Sequence, residues 1–80
     1  NSLNAKEVII EDYIESKAAG LGIKCEAKVH VTTDKNGDMF PYSAMITYQT
    51  PPEFEELEDI KALIRDMLGI PLERQVHKQT

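Results

Sequence analysis

Between Ile23 and Thr50 the chain alternates apolar and polar residues so regularly that a strand pair is the only economical reading. Ile23, Cys25, Ala27, Val29 and Val31 interleave with Lys24, Glu26, Lys28, His30 and Thr32. After Asp34-Lys35-Asn36-Gly37-Asp38 the alternation resumes with Phe40, Tyr42, Ala44, Ile46 and Tyr48. Successive side chains on a strand point to opposite faces, so each run has one apolar side and one polar side. Asn36-Gly37 between the runs predicts a hairpin, because both residues accept the positive φ of a tight turn. A sheet with one dry face must be covered, and the flanking segments are read as its cover.

Upstream, Ile10, Ile14, Ala18 and Leu21 recur at helical spacing, with Ile9 and Tyr13 on the shoulder of the stripe. Lys6, Glu7, Glu11, Asp12, Glu15 and Lys17 are assigned to the solvated side. Asn4 with Glu7 forms a weak capping pattern, and Gly20 and Gly22 end the helix, predicted over 5–19. Downstream, Thr50 is read as the cap of a second helix, with Pro51 in its first position and Glu53 closing a capping box. Its buried stripe is Phe54, Leu57, Ile60 (or the stem of Lys61), Ile64, Met67 and Leu68. Gly69 stops this helix and Pro71 forbids its return. The run from Leu72 to Lys78 is a short third strand.

The order is therefore α-β-β-α-β in one α+β domain spanning residues 1–80. Pro41 cannot donate to a ladder, which places the second strand at an edge. A crossover through the second helix then brings the third strand beside the first, giving a sheet of order 2-1-3. Both helices cover one face, as a two-layer α/β sandwich. Eighty residues bury only about 60–65% of the unfolded surface, enough for one core.

Fourteen acidic residues against nine basic give a net charge of −5. This argues against a nucleic-acid partner, which would call for a clustered basic footprint, and against polybasic attachment to lipid. No apolar run approaches a membrane span and no signal peptide is visible. Beginning at Asn1 rather than Met, the sequence reads as an excised piece of a longer chain. The lone Cys25 excludes an internal disulfide framework and reads as a small buried hydrophobe. Redox compartment stays open.

The catalytic candidates each meet a plainer explanation. His30 and His77 would share the open sheet face if Val76 pointed inward, with Glu26 or Glu73 as a third metal ligand. Close ligand spacing is missing, so both are read as solvated strand residues. Cys25 and His30 lie an odd number of residues apart on one strand, which sends them to opposite faces and prevents a nucleophile–base pair. Ser16 and Ser43 have no motif around them. The carboxylates from Glu53 to Asp59 suit a helix N-terminus and lack calcium-loop spacing. Gly20-Leu21-Gly22 follows a helix, whereas phosphate-binding glycine loops follow a strand. Met39, Phe40, Tyr42 and Tyr48 could form a stacking platform for RNA, but the last three fall on the face to be covered and lack basic neighbours. No catalytic, cofactor-binding or metal-ligating residue is assigned, and no enzyme activity is expected.

What remains is an interaction module. Two sheet edges stand nearly unprotected. The open face mixes Lys24, Glu26, Lys28, His30, Ser43, Met45, Thr47 and Gln49. Assembly of identical subunits and a solitary domain whose partner lies elsewhere in the parent chain stand level on this sequence.

The order of elements, the helix leading into Gly22-Ile23-Lys24-Cys25-Glu26-Ala27-Lys28-Val29, and the ending Ile60-Lys61-Ala62-Leu63-Ile64-Arg65-Asp66-Met67-Leu68-Gly69-Ile70-Pro71-Leu72-Glu73 resemble the ring-building-motif domains of membrane-associated secretion rings. Among these they are most similar to the extracytoplasmic domain of the stage III sporulation protein AF family of endospore-forming bacteria. The resemblance implies a membrane-anchored parent chain and a place in the channel between mother cell and forespore. Such domains pack side by side there as protein–protein assembly units, without catalytic residues. The alternative from a different class is a small-molecule-sensing regulatory domain of half-ferredoxin-like type. A nucleic-acid-binding arrangement of KH type would need a Gly-x-x-Gly loop, which is missing.

Overall fold

The computed structural model describes residues 2–80, in which α1 (Ser2–Gly20) leads to β1 (Cys25–Thr33), β2 (Met39–Tyr48), α2 (Phe54–Leu68), a 3-10 turn (Leu72–Arg74) and β3 (Gln75–Gln79). The α-β-β-α-β order and the α+β class agree with the sequence reading. Ile10, Ile14 and Ala18 from α1 and Ile60 and Ile64 from α2 meet Ala27, Val29, Val31, Ala44, Ile46 and Tyr48 from the sheet. Ile23 and Ile70, just outside the elements, complete this core. Both helices therefore lie on the face that the alternation marks as dry.

The strand order is β1-β2-β3, which corrects the expected 2-1-3. β1 and β2 pair antiparallel, and β3 lies parallel to β2 on its other side. Two physical reasons account for the correction. First, β3 reaches only from Ala44 to Tyr48 along β2, so Pro41 lies beyond it and its missing N–H is not needed. Proline marks a local edge here, not an edge strand.

Second, the edge of β1 is already occupied. The Glu7, Glu11 and Glu15 side chains accept the backbone N–H groups of Val31, Val29 and Ala27 at 3.0, 2.9 and 2.9 Å. Helix and strand run antiparallel, and their repeats nearly match. Residues four apart on a helix rise about 6 Å, and alternate residues on a strand advance about 6.8 Å. The three glutamates thus imitate the acceptors of a neighbouring strand. The sequence pattern puts them on the solvated side and Ile9 on the apolar shoulder, whereas the glutamates face the strand edge and Ile9 is largely exposed. Leu21 is likewise exposed, as are Phe54 and Met67 from the expected stripe of α2.

Local chemistry shifts several boundaries. α1 begins at Ser2, so Asn4 lies within the helix. α2 begins at Phe54, with Glu53 as the cap and its N–H donating to Glu56 at 2.8 Å. Pro52 disfavours helical backbone at Pro51, which is why the helix cannot start there. Gly69 ends α2 in the left-handed conformation at φ 72°, as expected. In the hairpin turn only Gly37, at φ 84°, takes positive φ, and Asn36 does not. The Asp34 carboxylate accepts the N–H groups of Asn36 and Asp38, stabilising a longer loop than a two-residue turn. Leu72 belongs to the 3-10 turn and lies exposed, so β3 is shorter than the predicted 72–78 run.

Two substitutions test this packing. Val29→Asp places a carboxylate in the core against α1 and should cost about 3 kcal/mol or more, seen as loss of the cooperative denaturation transition. Glu11→Ala should cost about 1–2 kcal/mol and speed amide exchange at Val29 selectively, whereas Glu11→Gln, which keeps an acceptor oxygen, should lose less. Unchanged exchange at Val29 in the alanine variant would show that the carboxylate does not protect the edge.

Candidate functional site

The two histidines lie on opposite faces. His30 is exposed on the open face of β1, with its Nδ1 3.9 Å from the Glu7 carboxylate. His77 pairs with Ile46 in register, and so turns to the helix side while Val76 is exposed. This reverses the orientation that the two-histidine metal reading required, and β2 separates the two strands. Among the described residues no three His, Cys, Asp or Glu side chains are grouped to hold a metal ion.

His77 instead sits at the centre of a short polar chain. The Gln75 amide NH₂ donates to the carbonyl oxygens of Ile70 and Lys61 at 2.9 and 3.2 Å. Both being acceptors, they turn the Gln75 oxygen toward His77, whose Nε2 lies 2.9 Å away. His77 Nε2 must therefore carry the proton, which leaves Nδ1 to accept from the Tyr48 hydroxyl at 2.7 Å. The Tyr48 and His77 rings also stack, with centroids 5.9 Å apart. Two backbone carbonyls thus select one tautomer of a neutral imidazole. Burial first, and then the Lys61 ammonium, push the His77 pKa down to about 4, with Glu58 opposing. Burial, reinforced by Cys25, pushes the Tyr48 hydroxyl above its ordinary value.

A cavity of about 220 Å³ lined by Lys61, Leu72, Gln75 and His77 borders this chain. Both ring nitrogens of His77 are already engaged, so the imidazole presents no unshared lone pair to a ligand or a metal. Its chemistry is structural. The sequence held a signal for this in the pairing of Gln75 and His77 two residues apart on one strand, but not in their face.

Cys25 is partly buried, and burial first and Glu15 second raise its pKa, which holds the thiol protonated. That environment is opposite to the one that activates a cysteine nucleophile. Ser16 is exposed on α1, and Ser43 lies opposite His30 on the open face. In the acidic run, Glu56 is used in capping and Glu58 pairs with Lys61 at 3.4 Å.

The open face carries a cluster that alternation alone misplaces. Alternation puts Phe40 and Tyr42 on the covered face with Tyr48, and the structure does not. The register between β1 and β2 shifts between His30 and Val31, so that Tyr42 is an extra residue with no partner on β1. Such a bulge reverses the parity of residues on its far side. Tyr48 stays in the core, while Tyr42 is exposed and makes edge contacts to His30 and Phe40. The Arg74 guanidinium lies 4.3 Å from the Tyr42 ring centroid, and its Nε donates to the Tyr42 carbonyl at 2.7 Å. This contact ties the start of β3 to the bulge.

No helix among the described residues is long and apolar enough to cross a membrane. Comparison with protein-family models, curated proteins and solved structures found no match.

The lowered pKa of His77 makes a signed prediction. The unfolded chain takes up a proton near pH 6.5 and the folded one only near pH 4, so below pH 6.5 the unfolded state binds more protons. The stability that His77 contributes is complete above pH 6.5 and declines as pH falls toward 4. His77→Phe, which keeps a stacking ring, should remove this component of the pH dependence between 6.5 and 4 in thermal denaturation. A ring titration of His77 near 6.5, followed by NMR, would contradict the network.

Proposed function

We propose that this domain is a non-enzymatic protein–protein assembly unit that contacts copies of itself. The observation that carries the reading is where its large apolar side chains end up. Val8 and Ile9 on α1 are 53% and 69% exposed, and Phe54 and Met67 on α2 are 75% and 65% exposed. In a domain this small such side chains are more useful in a contact than in the core they leave. The polar groups with chemical potential are meanwhile engaged internally, His77 by Tyr48 and Gln75 and the three α1 glutamates by β1.

The resemblance drawn from the sequence supports a more specific version. On it, the domain would belong to a membrane-anchored chain and stand outside the cytoplasm. It would pack beside related domains in a ring, as in the channel between mother cell and forespore. Neither nucleic acid nor a cofactor has a part in this reading.

Sedimentation velocity from micromolar to millimolar concentration tests it. Reversible association, weakened by Ile9→Lys or Phe54→Glu with the fold intact, is expected. A strict monomer over the whole range would overturn self-assembly by this domain.

A further inference from the structure

The two edges of the sheet are treated differently. On β1, carboxylates from α1 occupy the outward N–H groups of Ala27, Val29 and Val31. On β3, Thr80 N–H donates to the Tyr48 carbonyl at 3.1 Å, which fixes the parity of that strand. Val76, Lys78 and Thr80 turn their backbone groups toward β2, and His77 and Gln79 turn theirs away. Gln75 N–H is taken by the Leu72 carbonyl, but its own carbonyl also faces outward. No helix or side chain among the described residues bonds these outward groups. One edge has its outward donors filled and the other has them open.

Resting on the assembly reading above, we propose that the outer edge of β3 pairs antiparallel with β3 of a second copy of this chain, joining two three-stranded sheets into one of six strands. The strand Gln75-Val76-His77-Lys78-Gln79 is self-complementary about His77. In that register the two His77 residues exchange N–H···O=C bonds, and each Gln79 N–H donates to the Gln75 carbonyl of the second copy. On the open face Val76 stands opposite Lys78 of the second copy, where the lysine stem covers the exposed valine and keeps its ammonium in water. Met45, in register with Val76 on β2, extends the same apolar strip. Sliding the register one way sets Lys78 against Lys78, and like charges directly opposite repel. Sliding it the other way leaves Gln79 N–H without an acceptor.

On the helix side, the cavity beside Gln75 leaves room for Gln79 of the second copy. A contact of this kind is twofold and uses the same patch on both copies. Sheet growth then stops at six strands, because each outer edge is a β1 already closed by glutamates.

The parity of β3 supplies the test. Gln79→Pro removes an N–H that faces the second copy and none that faces β2, so the fold should persist while pairing fails. Val76→Lys puts lysine opposite Lys78 of the second copy at a position already exposed to water. Sedimentation equilibrium of the unmodified chain should show a dimerisation step, and this step should remain in Ile9→Lys, whose helix surface lies outside the β3 contact. Each β3 variant should weaken dimerisation about tenfold or more, with far-UV circular dichroism and melting temperature close to those of the parent. Should Gln79→Pro fail to fold, Val76→Lys decides alone. Association undiminished in the folded variants would overturn pairing through β3 while leaving self-assembly standing on another surface. A strict monomer would overturn both.

Discussion

Three carboxylates on one helix hold the architecture in place. Glu7, Glu11 and Glu15 accept successive outward N–H groups of β1, so α1 is attached to the sheet by its edge as well as by its apolar stripe. Charge-assisted bonds of this type are stronger than neutral ones, and here they satisfy donors that a sheet edge would otherwise leave open. The consequence is topological. With β1 closed, the crossover through α2 has one free edge to join, and β3 pairs with β2. The same device accounts for the composition of α1, whose glutamates face the strand while Ile9 faces water.

At the other edge, order is imposed by a neutral hydrogen-bond chain. Ile70 and Lys61 carbonyls orient Gln75, Gln75 sets the tautomer of His77, and His77 accepts from Tyr48. The chain links the exit of α2, β3 and β2 through side chains that a pattern reader would score as ordinary polar strand residues. Its polar atoms are mutually satisfied, which is the condition under which a half-buried network stabilises a fold. The Arg74 guanidinium on Tyr42 adds a second tie between β3 and β2 on the opposite face. Histidine here serves packing, and its neutrality follows from its surroundings.

Both edges bear on function through what they leave available. The sealed edge of β1 is withdrawn from strand pairing, and the short edge of β3 is not. Exposed Val8, Ile9, Phe54 and Met67 add apolar surface on the helix layer. These surfaces are what the proposed assembly would use, while His77 and the three α1 glutamates are engaged within the domain.

The sequence by itself determined the class of fold and most of its core. Strand alternation from Ile23 to Val31 and from Ala44 to Tyr48, and the 3.6-residue spacing of Ile10, Ile14, Ile60 and Ile64, are local, and these burials follow from the period of the backbone alone. Gly69 as a helix stop is equally local, because only its φ matters. Only the tertiary structure decided the strand order, the faces of Tyr42 and His77, and the role of the α1 glutamates. A bulge reverses parity without marking the sequence, since any residue can be the extra one. A glutamate beside an apolar stripe looks the same whether water or a strand edge receives it. Strand order depends on which edge remains open once a helix from elsewhere in the chain has docked, and no window of the sequence contains both partners.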